Sequence, residues 1–171
     1  MNLLDKVFDN GHRGIFSQPE AIAAIAVSAI ASDGYILDEE TERVMLLLSE
    51  MEMFKSYSEK QITNMLNKLF NTVTEKGINN LVAIANDSLN KEHKETAFIL
   101  AADLVLVDGV FSGKERVFLL RLCQVLELHQ ETASKIFEDK LKIHQISKRK
   151  SKKQRINQNS EDKSEVEILF D

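Results

Sequence analysis

The chain repeats itself at an offset of 75 residues, and that repeat limits the folds open to it. A shift by 75 lays Asp33-Gly34 on Asp108-Gly109, Glu40 on Glu115, and Val44, Leu47, Leu48 and Met51 on Leu119, Leu122, Cys123 and Leu126. Upstream, Ile25, Ala26 and Ile30 fall on Leu100, Ala101 and Val105; downstream, Ile62 and Leu66 fall on Phe137 and Leu141. Apolar residues spaced by three and four lie on one face of a helix. A unit of helix, Asp-Gly turn, helix and third helix cannot bury such faces alone. Two units are therefore expected to pack on each other about a pseudo-twofold axis, with a fourth helix connecting them.

The helix starts agree with this plan. Ser17 with Glu20, Ser58 with Gln61 and Ser112 with Glu115 have the spacing of capping boxes, and Pro19 stands in a first turn, where its missing N–H costs nothing. The spacing predicts a first helix running to Asp33 with Gly34 as a left-handed stop, then a second capped by Asp38. A third opens at Ser58, a fourth runs from Gly77 to Asn90 and a fifth from Lys91 to Val107. The sixth opens at Ser112, and the seventh covers Gln130 to Ile143. No segment alternates with period two, and Gly 6 and Pro 1 are too few for the turns of a β-sandwich. The fold class is all-α, a compact bundle of about seven helices.

Charge divides the chain. The total is −5, yet 148–171 holds seven Lys/Arg against five Asp/Glu, which leaves 1–147 at −7. An acidic body repels nucleic acid and anionic membranes and suits cations or basic protein surfaces. In the tail, a basic cluster from Lys148 to Arg155 precedes an acidic end with Glu161, Asp162, Glu165, Glu167 and Asp171. From 148 to 165 Ile156 is the one large apolar residue, too little to offset the entropy of ordering, so 148–171 is expected to be disordered. The expected organisation is a lead-in at 1–16, a helical domain at 17–145 and a charged tail at 146–171. The single Cys excludes a disulfide framework and fits a reducing, cytoplasmic compartment, and the longest apolar stretch, 21–31, is too short to span a bilayer.

The turn segments resemble those of a known family. The first reads Ala31-Ser32-Asp33-Gly34-Tyr35-Ile36-Leu37-Asp38-Glu39-Glu40, the second Val107-Asp108-Gly109-Val110-Phe111-Ser112-Gly113-Lys114-Glu115. An Ala-rich helix ending at Asp-Gly, a Glu seven residues later and an amphipathic helix are similar to the TerB family. That family includes tellurite-resistance proteins and the N-terminal domain of a membrane-anchored DnaJ-like cochaperone. The resemblance covers roughly 17–145. It departs at Val107, where alanine is usual, and at Ser112-Gly113-Lys114, where acids follow the first turn. It implies a bacterial, cytoplasmic stress-response protein, protein partners, a link to a membrane-associated assembly, and a divalent-cation-binding scaffold.

From the residues alone, the acids admit two readings. Asp33 and Asp108 stand at helix C-termini, the unfavourable end of the dipole for a carboxylate. Either each turns back to accept N–H groups opening the next helix, or Asp33, Glu40, Asp108 and Glu115 converge as oxygen ligands for a divalent cation, with Asp38 and Glu39 as further candidates. Ca²⁺, Mg²⁺, Mn²⁺ and Zn²⁺ are not distinguished. The loops are not EF-hands, because positions 1 and 3 before each Gly are Ala29 and Ala31, or Leu104 and Leu106.

Other features read as structure. Asp103 interrupts an apolar helix and is expected in a salt bridge. Cys123 lies on an apolar stripe, Met45, Met51, Met53 and Met65 fill core, and His12, His93, His129 and His144 make no zinc-ligand spacing. No phosphate loop or nucleophile elbow is present. The function expected is a non-enzymatic, cation-responsive interaction module. The alternatives are a carboxylate–metal hydrolase using the same acids and a metal-free adaptor.

Overall fold

The structure, a computed structural model, describes residues 16–107 and 112–168, with the backbone alone at 156–168. Among these it holds seven α-helices: α1 Gln18–Ala31, α2 Asp38–Glu50, α3 Glu59–Lys76, α4 Ile78–Ser88, α5 Lys91–Val105, α6 Gly113–Val125 and α7 Gln130–Ile168. A 3-10 turn, Glu52–Phe54, follows α2. The fold is an all-helical bundle, as the sequence predicts.

Helix α1 is its axle. Every residue from Ala21 to Ala31 is buried, most of them completely. Alanines at 21, 23, 24, 26, 29 and 31 let neighbouring helices approach closely. Helices α4, α5 and α3 pack around α1 and α2 touches it, while α6 rests on α5 and α4, and α7 on α5. Ser28, buried within α1, donates its hydroxyl to the Ala24 carbonyl, so no polar group is stranded there.

The three capping boxes form. Ser17, Ser58 and Ser112 each accept the N–H of the residue three further on, and the side chains of Glu20, Gln61 and Glu115 accept the N–H of the cap. The cap of α2 differs from the sequence reading. Leu37, not Asp38, is the cap residue; it has no side-chain acceptor, and the box is half made by Glu40 Oε2 accepting the Leu37 N–H at 2.9 Å. Asp38 is drawn into the first turn, where its charge faces the positive helix end. α5 opens on Asn90, whose side chain accepts from His93 N–H, and it ends at Val105 rather than Val107.

Spacing between helix pairs follows the repeat unevenly. α2 and α6 open 75 residues apart, whereas α1 and α5 open 73 apart and α3 and α7 71 apart. Gly34 takes φ +92° after α1, the positive value expected of it, and Gly77 takes φ +81° between α3 and α4. Asp108 and Gly109 lie outside the described residues, as does His12.

Gln18 joins the start of α1 to the α4–α5 junction. Its Nε2 donates to the Ser88 carbonyl at 2.6 Å, and its Oε1 accepts the Asn90 N–H at 3.0 Å and lies 2.9 Å from His93 Nδ1. Asp103 makes the salt bridge expected of it, and the structure supplies Lys140 as its partner: Nζ reaches Oδ2 at 2.8 Å and ties α7 to α5. The four core methionines pack where expected, half-buried against the core.

The end of the chain departs from the sequence reading. α7 continues to Ile168, through a stretch expected to be disordered, although residues 145–155 are all exposed. Lys, Arg, Gln and Glu have good helix propensity, and neither Gly nor Pro interrupts 130–168, so local preference extends the helix where tertiary burial does not.

Candidate functional site

Two loops meet at the opening of α6. The chain leaves α1 through Ser32, reaches Asp33 and turns at Gly34. There Asp33 Oδ1 accepts the Ser112 hydroxyl at 3.1 Å, from a residue 79 positions away. Ser112 Oγ also accepts the Glu115 N–H at 3.2 Å, and Glu115 Oε2 accepts the Ser112 N–H at 2.8 Å. One hydroxyl thus carries a cap and a tertiary contact at once.

This geometry revises the reading of Asp33 as a local cap for the next helix. Among the described residues its partner is Ser112, at the N-terminus of α6. Asp33 sits at the unfavourable end of α1, and α6 offsets that by presenting its positive end. Of the candidate ligands, Asp33 and Glu115 come together at Ser112. Glu40 instead folds back on Leu37, while Asp38 and Glu39 point into solvent at the start of α2. Asp108 falls outside the described residues, and among those described no three acidic, His or Cys side chains are grouped to hold a metal.

Cys123 is buried on α6, where its Sγ lies 3.6 Å from the Leu128 carbonyl, and burial pushes its pKa up. This thiol is packed and unsuited to nucleophilic work.

An open groove lies beside the junction, between the α1–α2 loop, the α3–α4 turn and α6. Its charged lining among the described residues is Lys76, Lys114 and Arg121, and its apolar lining includes Tyr35, Ile36 and Val117. Tyr35 is 65% exposed and Val117 55%, so the apolar surface is presented to solvent. Sequence reasoning missed this groove. Its signal was the change from acids after the first turn to Ser112-Gly113-Lys114 after the second, together with Arg121 seven residues on along the same helix.

Fold and junction together define an all-helical domain in which Asp33 and Glu115 meet Ser112 where α6 opens. The family model described as Tellurite resistance protein TerB matches residues 19–137, and the chain belongs to that family. Neither a curated protein nor a solved structure matches the chain. Among the described residues no helix is long and apolar enough to cross a membrane.

Proposed function

We propose that the domain is a non-enzymatic interaction module of tellurite-resistance type. It works in the cytoplasm through protein partners, and the Asp33–Ser112–Glu115 junction sets its binding surface. The observation that carries this reading is the 3.1 Å bond from Ser112 to Asp33, which holds the α1–α2 loop against the opening of α6. Both elements form walls of the groove. A carboxylate–metal hydrolase asks for a pocket lined with acids; the charged groups lining the described part of this groove are cations instead.

The convergence of Asp33 and Glu115 favours a cation as the signal to which the module responds. A divalent ion drawing on both carboxylates competes with the Ser112 hydroxyl for Asp33 and with the Ser112 N–H for Glu115. Occupancy would therefore loosen the cap of α6 and shift the loop joined to it.

The test is protection of a tellurite-sensitive host by three forms of the protein. Asp33→Asn/Glu115→Gln keeps acceptors at both positions, since Asn and Gln serve in the same hydrogen bonds, but removes the charge a cation needs. Ser112→Ala breaks the junction itself. A cation-responsive module loses protection in both variants, and a metal-free adaptor loses it in Ser112→Ala alone. If both variants fold and protect as the wild type does, the junction has no part in function.

A further inference from the structure

The groove is a local exception on this molecule. The stretch 1–147 has net charge −7, yet Lys114 and Arg121 on α6 and Lys76 at the end of α3 line one concave surface. Between the cations, exposed Tyr35, Ile36 and Val117 supply apolar contact. A chain segment that suits this surface carries several carboxylates interleaved with large apolar side chains.

The sequence holds such a segment. Residues 161–171 carry Glu161, Asp162, Glu165, Glu167 and Asp171 against Lys163 alone, with Val166, Ile168, Leu169 and Phe170 among them. We propose that the groove receives the acidic segment 161–171 of a second copy of this chain. The segment is repelled by the rest of the acidic body and attracted here, which fixes where it docks. Docking is between copies because residues 145–155 are exposed and α7 continues helical to Ile168. Its end lies roughly 36 Å along the helix beyond His144, at 1.5 Å per residue, and α7 packs on α5, which does not line the groove. Reciprocal exchange of the two segments closes a twofold dimer and leaves neither groove empty. The inference goes beyond the proposed function and depends on neither a cation nor tellurite.

Sedimentation velocity of the full chain over a concentration series, in low and high salt, tests it. The expected result is a concentration-dependent shift from monomer to dimer that weakens with salt. Deletion of 161–171 should abolish the shift, as should Lys114→Glu/Arg121→Glu. Mixing the groove variant with Glu161→Lys/Glu165→Lys/Glu167→Lys, whose segment carries four lysines against two aspartates, should restore a dimer that neither forms alone, since the acidic groove then meets a basic segment and the unaltered groove an acidic one. Circular dichroism confirms that each variant is folded, and the deletion decides the matter should the groove variant fail to fold. A chain that stays monomeric at every concentration, or a dimer that survives the deletion, overturns the proposal.

Discussion

Asp33 Oδ1 and Ser112 Oγ lie 3.1 Å apart, bringing the residue just past the end of α1 to the cap of α6. The bond uses the hydroxyl's proton, which a capping box leaves free, while its lone pair serves the Glu115 N–H. Loss of Ser112 therefore removes two interactions, and Ser112→Ala should cost about 1–2 kcal/mol in urea denaturation, a lost cap plus a carboxylate left without its donor. Asp33→Asn/Glu115→Gln should behave differently. If the carboxylates serve as caps alone, its melting temperature in chelator stays at or slightly below that of wild type, and cations change neither protein. If they crowd into a cation site, removing the charges stabilises the chelated form and abolishes a cation-dependent rise seen in wild type.

Three backbone positions test the helix ends. Gly77 has φ +81° and ψ 164°, a region open to glycine alone, and a Cβ there meets no atom within 4 Å. Gly77→Ala should thus cost about 1–3 kcal/mol through conformation and not through collision. Gly34→Ala, at φ +92° with equal space, should cost about 1–2 kcal/mol. Glu127 has φ +55° just past α6, where Leu128 N–H reaches the Cys123 carbonyl at 3.1 Å and Glu127 N–H the Gln124 carbonyl at 3.1 Å. This is the hydrogen-bond pattern of a Schellman stop with Glu where Gly is usual, so Glu127→Gly should raise stability by about 0.5–1 kcal/mol. Thermal melts of the three variants, ranked against wild type, check the order.

The Asp103–Lys140 pair has side chains 28% and 24% exposed, between a surface pair and a buried one. A double-mutant cycle with Asp103→Asn and Lys140→Met should return a coupling of about 1 kcal/mol, reduced by salt. Coupling near zero would mean that α7 is held to α5 by apolar packing alone.

Burial raises the pKa of Cys123, so the folded protein keeps its thiol proton at pH values where the unfolded chain has lost it. The native state then binds more protons than the unfolded one, and stability falls as pH rises through the unfolded thiol range. Cys123→Ala should flatten that alkaline loss in a pH series of urea midpoints. In wild type at mildly alkaline pH, a thiol reagent should label the native chain far more slowly than the chain in denaturant.

Local chemistry made most of this fold legible. The serine boxes at 17, 58 and 112 name their own partners three residues on, and the polar interruption at Asp103 announced an ion pair. What the sequence hid was tertiary or graded. Ser112 in a box shows which N–H it accepts, but the direction of its own O–H depends on Asp33 arriving from 79 residues away. Gln18 shows nothing of its bonds to Ser88 and Asn90 for the same reason. The seventh helix is placed at 130–143 by its apolar stripe, and its continuation to Ile168 has helix propensity but no stripe to mark it. Of the proposed ligands, pattern alone found Asp33 and Glu115 near each other; it also grouped Glu40 with them, which bonds instead to Leu37.

The enclosure of α1 has a consequence for synthesis. Its apolar surface is synthesised before its cover: α5, one of the helices that pack on it, begins at Lys91, sixty positions after Ala31. At about 5–20 residues per second that is roughly 3–12 s of translation during which α1 lacks its native cover. Every new chain thus passes through an interval as a sticky, half-built intermediate, open to chaperones and to other nascent chains. Slower translation across 60–90 should lower the yield of native protein even though no residue in the finished fold has changed.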